Sequence, residues 1–294
     1  MNAYEIIFER RNKAIHEADR KTDIIQALSP EILSIDNQLV SNILRLYQNN
    51  TQDVVDECMA LRSRRNEILA SLGFPDEYDK PKYRCCKCND TGFVKLEKCE
   101  CMKSLEAEIF LNDTAMGKGL SECTFESFSL SYCTDASMKS VLEACRKYAE
   151  GFTRKSKNLI LYGGTGLGKT HLSAAIGYEV IKKGYSVVYE SATKIISDCK
   201  TAMFSSEDNS QKYYQCDLLI MDDLGVENKS EYTITALTEI INKRIVSRKQ
   251  TIITTNYDLP EINKIYGGRV FSRLIGEFTP IHFVGKDVRM MKIK

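Results

Sequence analysis

The sequence predicts an α/β fold, a parallel sheet flanked by helices, preceded by a small helical module that holds a metal. Three observations predict it. From about Asp135 onward, short β-rich runs alternate with helical stretches, and one of those runs leads through a glycine-rich loop straight into a helix. Ahead of that region, five of the 11 cysteines lie between Cys85 and Cys101. Strands alternating with helices of this length build βαβ units, whose strands pair in parallel beneath a cover of helices.

Residues 1–72 are rich in charge and in good helix formers, with Leu39, Ile43, Leu46 and Tyr47 at helical spacing, as expected of a small bundle. A second periodic run, residues 54–72 with Met59, Leu61, Ile68 and Leu69, stops at Gly73 and Pro75. GFPDEYDKPKYR is then a linker, residues 103–116 read as a helix, and Gly117 and Gly119 break it. The β-rich runs are NLILY, YSVVYE, CDLLIM, QTIITT and PIHFV; the helical ones are KTHLSAAIGYEVIKK, SATKIISDCKTAMF and EYTITALTEIINKRIVS. The expected domains are residues 1–115 and 120–294.

Composition excludes several classes. With 41 Lys+Arg against 40 Asp+Glu the net charge is +1, so the surface as a whole is no polycation for nucleic acid or acidic lipid. No apolar run reaches the roughly 18–20 residues that span a bilayer, and charges interrupt the start, MNAYEIIFERRNKAIHEADRK. The expected location is therefore cytoplasmic, without membrane contact. An odd cysteine count without an export signal points to reduced thiols, some of them on metal.

Within YRCCKCNDTGFVKLEKCECMK, Cys85-x2-Cys88 is followed after ten residues by Cys99-x-Cys101. Two close pairs on a hairpin are what tetrahedral Zn²⁺ needs. Cys86 could replace Cys85, but a Cys86-x-Cys88 pair would constrain the turn more, so Cys85 is the expected ligand. Cys58, Cys123, Cys133, Cys145, Cys199 and Cys216 are scattered and expected to be buried apolar residues.

NLILY runs into Gly163, Gly164, Thr165, Gly166, Leu167, Gly168, Lys169 and Thr170, which match GxxxxGK[ST] between a strand and a helix. Glycines let successive N–H groups converge on a phosphate, and the helix adds its positive end. Lys169 would reach the β- and γ-phosphates of ATP, with the Thr170 hydroxyl on Mg²⁺. About fifty residues on, CDLLIMDD puts Asp222 and Asp223 at the end of an apolar strand, where open parallel sheets carry their ligands. Asp222 would hold Mg²⁺ through water, and Asp223 would orient or deprotonate the attacking water. Residues 205–231 hold seven acids and two lysines, whereas residues 264–294 hold seven bases and two acids. Such polarity suits a head-to-tail assembly.

Together, the loop, DLLIMDDLG, TIITTN and GGRVFSRLIGEF resemble AAA+ proteins of the bacterial replicative helicase-loader type, DnaC and DnaI, over residues of roughly 120–294. The resemblance implies an AAA+ P-loop core and an ATP-dependent switch that assembles in a ring or spiral. It implies that Asn256 is a sensor placing the lytic water and that Arg273 is an arginine finger entering a neighbouring subunit's site. Arg269, one turn earlier, would assist the finger, and Arg289 in GKDVR would be a second sensor. Related ATPases more often carry Glu where Asp223 stands, so the shorter side chain allows slow hydrolysis or a switch that hydrolyses very little. The helix from about Ala192 to Phe204 lies where initiator-like members contact single-stranded DNA, so Lys200 and Phe204 are candidates for phosphate contact and base stacking. The cysteine spacing and the NDTGF turn resemble the zinc-bearing N-terminal domain of DnaI-type loaders, which implies a grip on a DnaB-type replicative helicase. The expected function is thus an ATPase that loads such a helicase on single-stranded DNA during replication. The alternatives are an ATP-binding transposase helper of IstB type and, in another class, a small-molecule kinase or transport ATPase, which would have a substrate pocket and no subunit-bridging finger.

Overall fold

The computed structural model describes residues 2–48, 51–112, 123–130, 137–203 and 209–287. It divides into two compact units, Met1–Cys99 and Glu100–Lys294.

The first unit is built on three helices, α1 (Ala3–Leu28), α2 (Pro30–Gln48) and α3 (Gln52–Ser71). Asn2 and Glu5 form a reciprocal capping box that satisfies N–H groups at the start of α1. Ile25, Ile32, Ile35, Ile68 and Leu69 form its buried cluster. Above that cluster the Arg65 guanidinium forks between Asp36 at 2.7 Å and Asp79 at 2.5 Å, the bidentate geometry that Arg favours. A two-stranded hairpin, β1 (Phe93–Val94) with β2 (Glu97–Lys98), closes the unit.

The second unit opens with α4 (Glu100–Asn112), and α5 (Ser137–Glu150) precedes the sheet. The strands are β3 (Asn158–Tyr162), β4 (Val187–Ser191), β5 (Leu218–Leu224), β6 (Gln250–Thr255) and β7 (Phe278–His282). They pair in the order β4-β5-β6-β3-β7, all parallel. Between them run α6 (Lys169–Lys182), α7 (Ala192–Ala202), α8 (Gln211–Gln215), α9 (Glu231–Val246) and α10 (Leu259–Glu277). Strand residues alternate between two cores: Leu159, Leu161, Leu218 and Ile220 face the cluster that holds α5 and α6, while Ile160, Leu219, Met221 and Ile253 face the one that holds α7, α9 and α10. Both faces of the inner strands β3, β5 and β6 are covered, which is why NLILY and LLIM read as unbroken apolar runs, while the edge strand β7 is largely exposed.

The helix after the cysteines, α4, packs on α6. The fit is close: a Cβ on Gly177 would come within 2.7 Å of the Phe110 ring, and Phe110 meets Tyr189 edge-on at 6.1 Å. At the other end of the sheet the fully buried Arg244 donates to Thr251 Oγ1 at 2.9 Å, the Tyr213 carbonyl at 2.6 Å and the Gln250 carbonyl at 2.5 Å. One side chain so ties α8, α9 and β6 together. Among the described residues no helix is long and apolar enough to cross a membrane.

Candidate nucleotide site and cysteine centre

β3 ends at Tyr162 and the chain turns through Gly163 to Gly168 into α6. Gly166 has φ +69°, and a Cβ there would lie 1.8 Å from the Asp287 carboxylate; glycine alone allows both the angle and the approach. Lys169, 6% exposed, donates from Nζ to the Gly163 carbonyl at 2.7 Å, the Gly164 carbonyl at 2.6 Å and Asn256 Oδ1 at 2.7 Å. Asn256 stands just past β6, and its Nδ2 donates to Asp223 Oδ1 at 2.8 Å. A hydrogen-bonded line from Lys169 through Asn256 to Asp223 therefore crosses three neighbouring strands.

Asp222 is fully buried. It accepts from Thr254 Oγ1 at 2.6 Å and from Thr170 Oγ1 at 3.2 Å. Burial pushes its carboxyl pKa upward, those hydroxyl donors oppose the shift, and the neighbouring Asp223 adds to it. A carboxylate in this position, beside a threonine at a helix start, has the oxygen chemistry that Mg²⁺ prefers. Asp223 adopts φ +57°, which is uncommon for any residue but glycine and marks stored strain. The pairing of β5 with β6 explains it: Met221 is opposite Ile253 but Leu224 is opposite Thr255, so the two acids share a bulge. Bulges re-aim side chains, and this one turns Asp222 toward Thr170 and Asp223 toward Asn256. Neither the bulge nor Thr254 is evident from sequence, although Thr254 lies in the TIITTN run.

The two arginines lie elsewhere. Arg269 and Arg273 are exposed on the second half of α10, and the Arg273 guanidinium Nε donates to Asn242 Oδ1 of α9. Lys200 is exposed near the end of α7. Phe204 and Arg289 lie outside the described residues.

The Sγ atoms of Cys85, Cys88, Cys99 and Cys101 all lie within 4.8 Å of one another, and those of Cys85 and Cys99 are 3.8 Å apart. Zn–S bonds of about 2.3 Å in a tetrahedron put sulfurs about 3.8 Å apart, so the cluster fits a zinc ion. The turn is shaped for it. Asp90 accepts from the N–H groups of Arg84 and Cys85 at 2.7 and 3.0 Å, and Cys99 N–H reaches the Gly92 carbonyl at 2.9 Å. Cys86 is exposed and outside the cluster.

The strand order, the glycine loop with its buried lysine after β3 and the acids at the end of β5, one strand beyond β6, define an ATP-binding protein of the AAA+ class. Residues 106–276 match the family of IstB-like ATP-binding proteins, more than half of the chain, and the chain belongs to that family. It is 30% identical over 156 residues to the replicative helicase loader DnaC of Escherichia coli K12, a match that covers 52% of this chain and 62% of that protein. The chain therefore spans less than two thirds of that relative's length. Two solved structures share the fold. The crystal structure of the DnaC helicase loader matches with a TM-score of 0.50 at 24% identity, over 55% of this chain and 97% of that one. That of DnaI matches with a TM-score of 0.50 at 22% identity, over 58% of this chain and 96% of that one.

Two outcomes follow from this geometry. Protein prepared with zinc and measured by elemental analysis is expected to hold about one ion per chain; Cys99→Ser loses it and Cys86→Ser keeps it. For Asp222 the upward shift means that the folded state holds the proton more tightly than the unfolded chain, so ionised Asp222 weighs against folding at neutral pH. Asp222→Asn is expected to melt higher in calorimetry without metal or nucleotide and to lose that advantage as pH falls through the Asp222 pKa.

Proposed function

We propose that this protein is an ATPase of the AAA+ type that binds a DnaB-type replicative helicase and uses its nucleotide state to place that helicase on single-stranded DNA. The observation that carries the ATPase part is the bonded line Lys169–Asn256–Asp223 beside the buried pair Thr170–Asp222. The loader part is supported by the likeness to DnaC.

In this reading the loop N–H groups and the start of α6 bind the phosphates. Lys169 exchanges its carbonyl and amide partners for phosphate oxygens. Mg²⁺, held by Thr170 and, through water, by Asp222, would offset charge on the β- and γ-phosphates. Asp223 and Asn256, already joined, hold the attacking water in line and take up its proton at the Asp223 carboxylate. Asn256 sits between Lys169 and Asp223, so the presence of a γ-phosphate is felt at both. Arg273 completes a neighbour's site in trans within a ring or spiral, with Arg269 one helical turn away. Lys200 and Phe204 are the proposed contacts to single-stranded DNA, Arg289 a second sensor, and residues 1–115 with zinc on the four cysteines the helicase grip. The transposase-helper alternative shares this core, and the cysteine-bearing N-terminal module favours the loader.

The test is the mass, by light scattering, of the full-length protein mixed with a DnaB-type helicase. A co-complex is expected that ATP remodels and ADP does not; Lys169→Ala is expected to bind the helicase but to ignore ATP. If no complex forms with any nucleotide, the loader reading falls and the transposase helper takes its place.

A further inference from the structure

Past its two acids, β5 leads into a turn at Gly225, whose φ is +121°. A Cβ there would meet the Tyr257 ring at 2.1 Å, and Tyr257 directly follows Asn256. The turn is closed by Glu227, whose Oε2 accepts from the Gly225 N–H at 2.8 Å. Glu227 is only 5% exposed, and a carboxylate so deep needs donors on its oxygens. Its other oxygen takes one from the hydroxyl of Tyr266, 39 residues further along and 1% exposed. Burial, together with the adjacent carboxylate, pushes the Tyr266 phenol pKa up, which keeps it a donor.

Tyr266 stands where α10 breaks. The next residue, Gly267, has φ +77° and ψ 168°, outside helical values, and splits the element into two segments. Among the described residues, the adjacent positions and the helix's own backbone aside, no atom lies within 4 Å of a Cβ on Gly267 or Gly268, so the break serves the backbone angle and not close packing. The second segment buries Val270 and Leu274 and exposes Arg269 and Arg273. Its first fixed point is thus the buried bond between Tyr266 and the loop that follows Asp222 and Asp223.

We infer that Glu227 and Tyr266 are positioning residues: they clasp the start of the arginine-bearing segment to the acidic end of β5 and so fix how Arg273 is presented to the neighbouring subunit. This rests on the in-trans role of Arg273 proposed above. Among the described residues neither bonds directly to Lys169, Asp222, Asp223 or Asn256, and in this proposal their effect is exerted through the placement of Arg273.

The experiment measures steady-state turnover and the Kd for a fluorescent ATP analogue on full-length protein. Tyr266→Phe removes one hydroxyl. It is expected to leave Kd within about twofold and to lower kcat at least about fivefold, the signature of a contact made only in the transition state. Mixing with excess Lys169→Ala subunits, which lack a working loop but carry an intact clasp and Arg273, is expected to restore turnover per competent site. A defect confined to a subunit's own fold would weaken nucleotide binding and resist such rescue, and that result overturns the clasp. Should Tyr266→Phe fail to fold, Tyr266→Phe with Glu227→Gln keeps the bond to Gly225 while leaving no lone acceptor against the ring, and the same pattern is expected of it. Arg273→Ala is measured alongside. If Arg273→Ala loses turnover while both clasp variants keep it, the clasp is wrong and the finger stands. If Arg273→Ala keeps full turnover, the finger reading fails and the clasp fails with it.

Discussion

The parallel pairing of β5, β6 and β3 is the constraint on which everything at the site depends. Parallel strands in register bring their C-terminal ends to one rim, so Tyr162, Thr255 and Leu224 finish together. Residues separated by 87 positions, Lys169 and Asn256, can then share a hydrogen bond. The sheet achieves this only because both of its faces are buried, one by α5 and α6 and the other by α7, α9 and α10. Moving one strand by one residue would turn its side chains to the opposite core, so register is held by many apolar contacts while the rim is left free for polar chemistry. The bulge at Asp222 and Asp223 breaks that register at a single place, where both carboxylates need to point along the rim.

Two further devices keep the ends of the elements where the strands leave them. Arg244 bridges α8, α9 and β6 below the sheet, and the turn after β5 is pinned by Tyr257 and Glu227. Buried polar groups of this kind are costly unless every bond is made. Arg244 and Glu227 have their main partners in place, so they specify one arrangement. The hairpin with four cysteines follows a separate logic. It has two-residue strands and too little apolar surface to stand by packing, so sulfur geometry and a turn knit by Asp90 define it.

Much of this was legible in the sequence because the chemistry needs contiguous residues. The phosphate loop, the Asp222–Asp223 pair, five apolar strands and two cysteine pairs each occupy a short window and carry their own geometry. What was not legible depends on residues distant in sequence. The allegiance of α4 to α6 turns on Phe110 against Gly177. The bulge shows only when β5 is laid beside β6. Thr254, Asn242 and the Glu227–Tyr266 pair look like ordinary strand and helix residues until packing brings their partners in. The helix break at Gly267 is foreshadowed by the GG pair, yet its meaning comes from Tyr266 being anchored beside it.

We propose that nucleotide binding at this rim drives placement of a ring helicase on a single strand. The most direct measurement uses covalently closed single-stranded DNA circles, which a closed ring cannot thread, and counts the helicase retained on them after a wash. Retention is predicted to require this protein and ATP and to be lost with Lys169→Ala. Helicase retained equally without the protein, or equally with Lys169→Ala, would contradict the account.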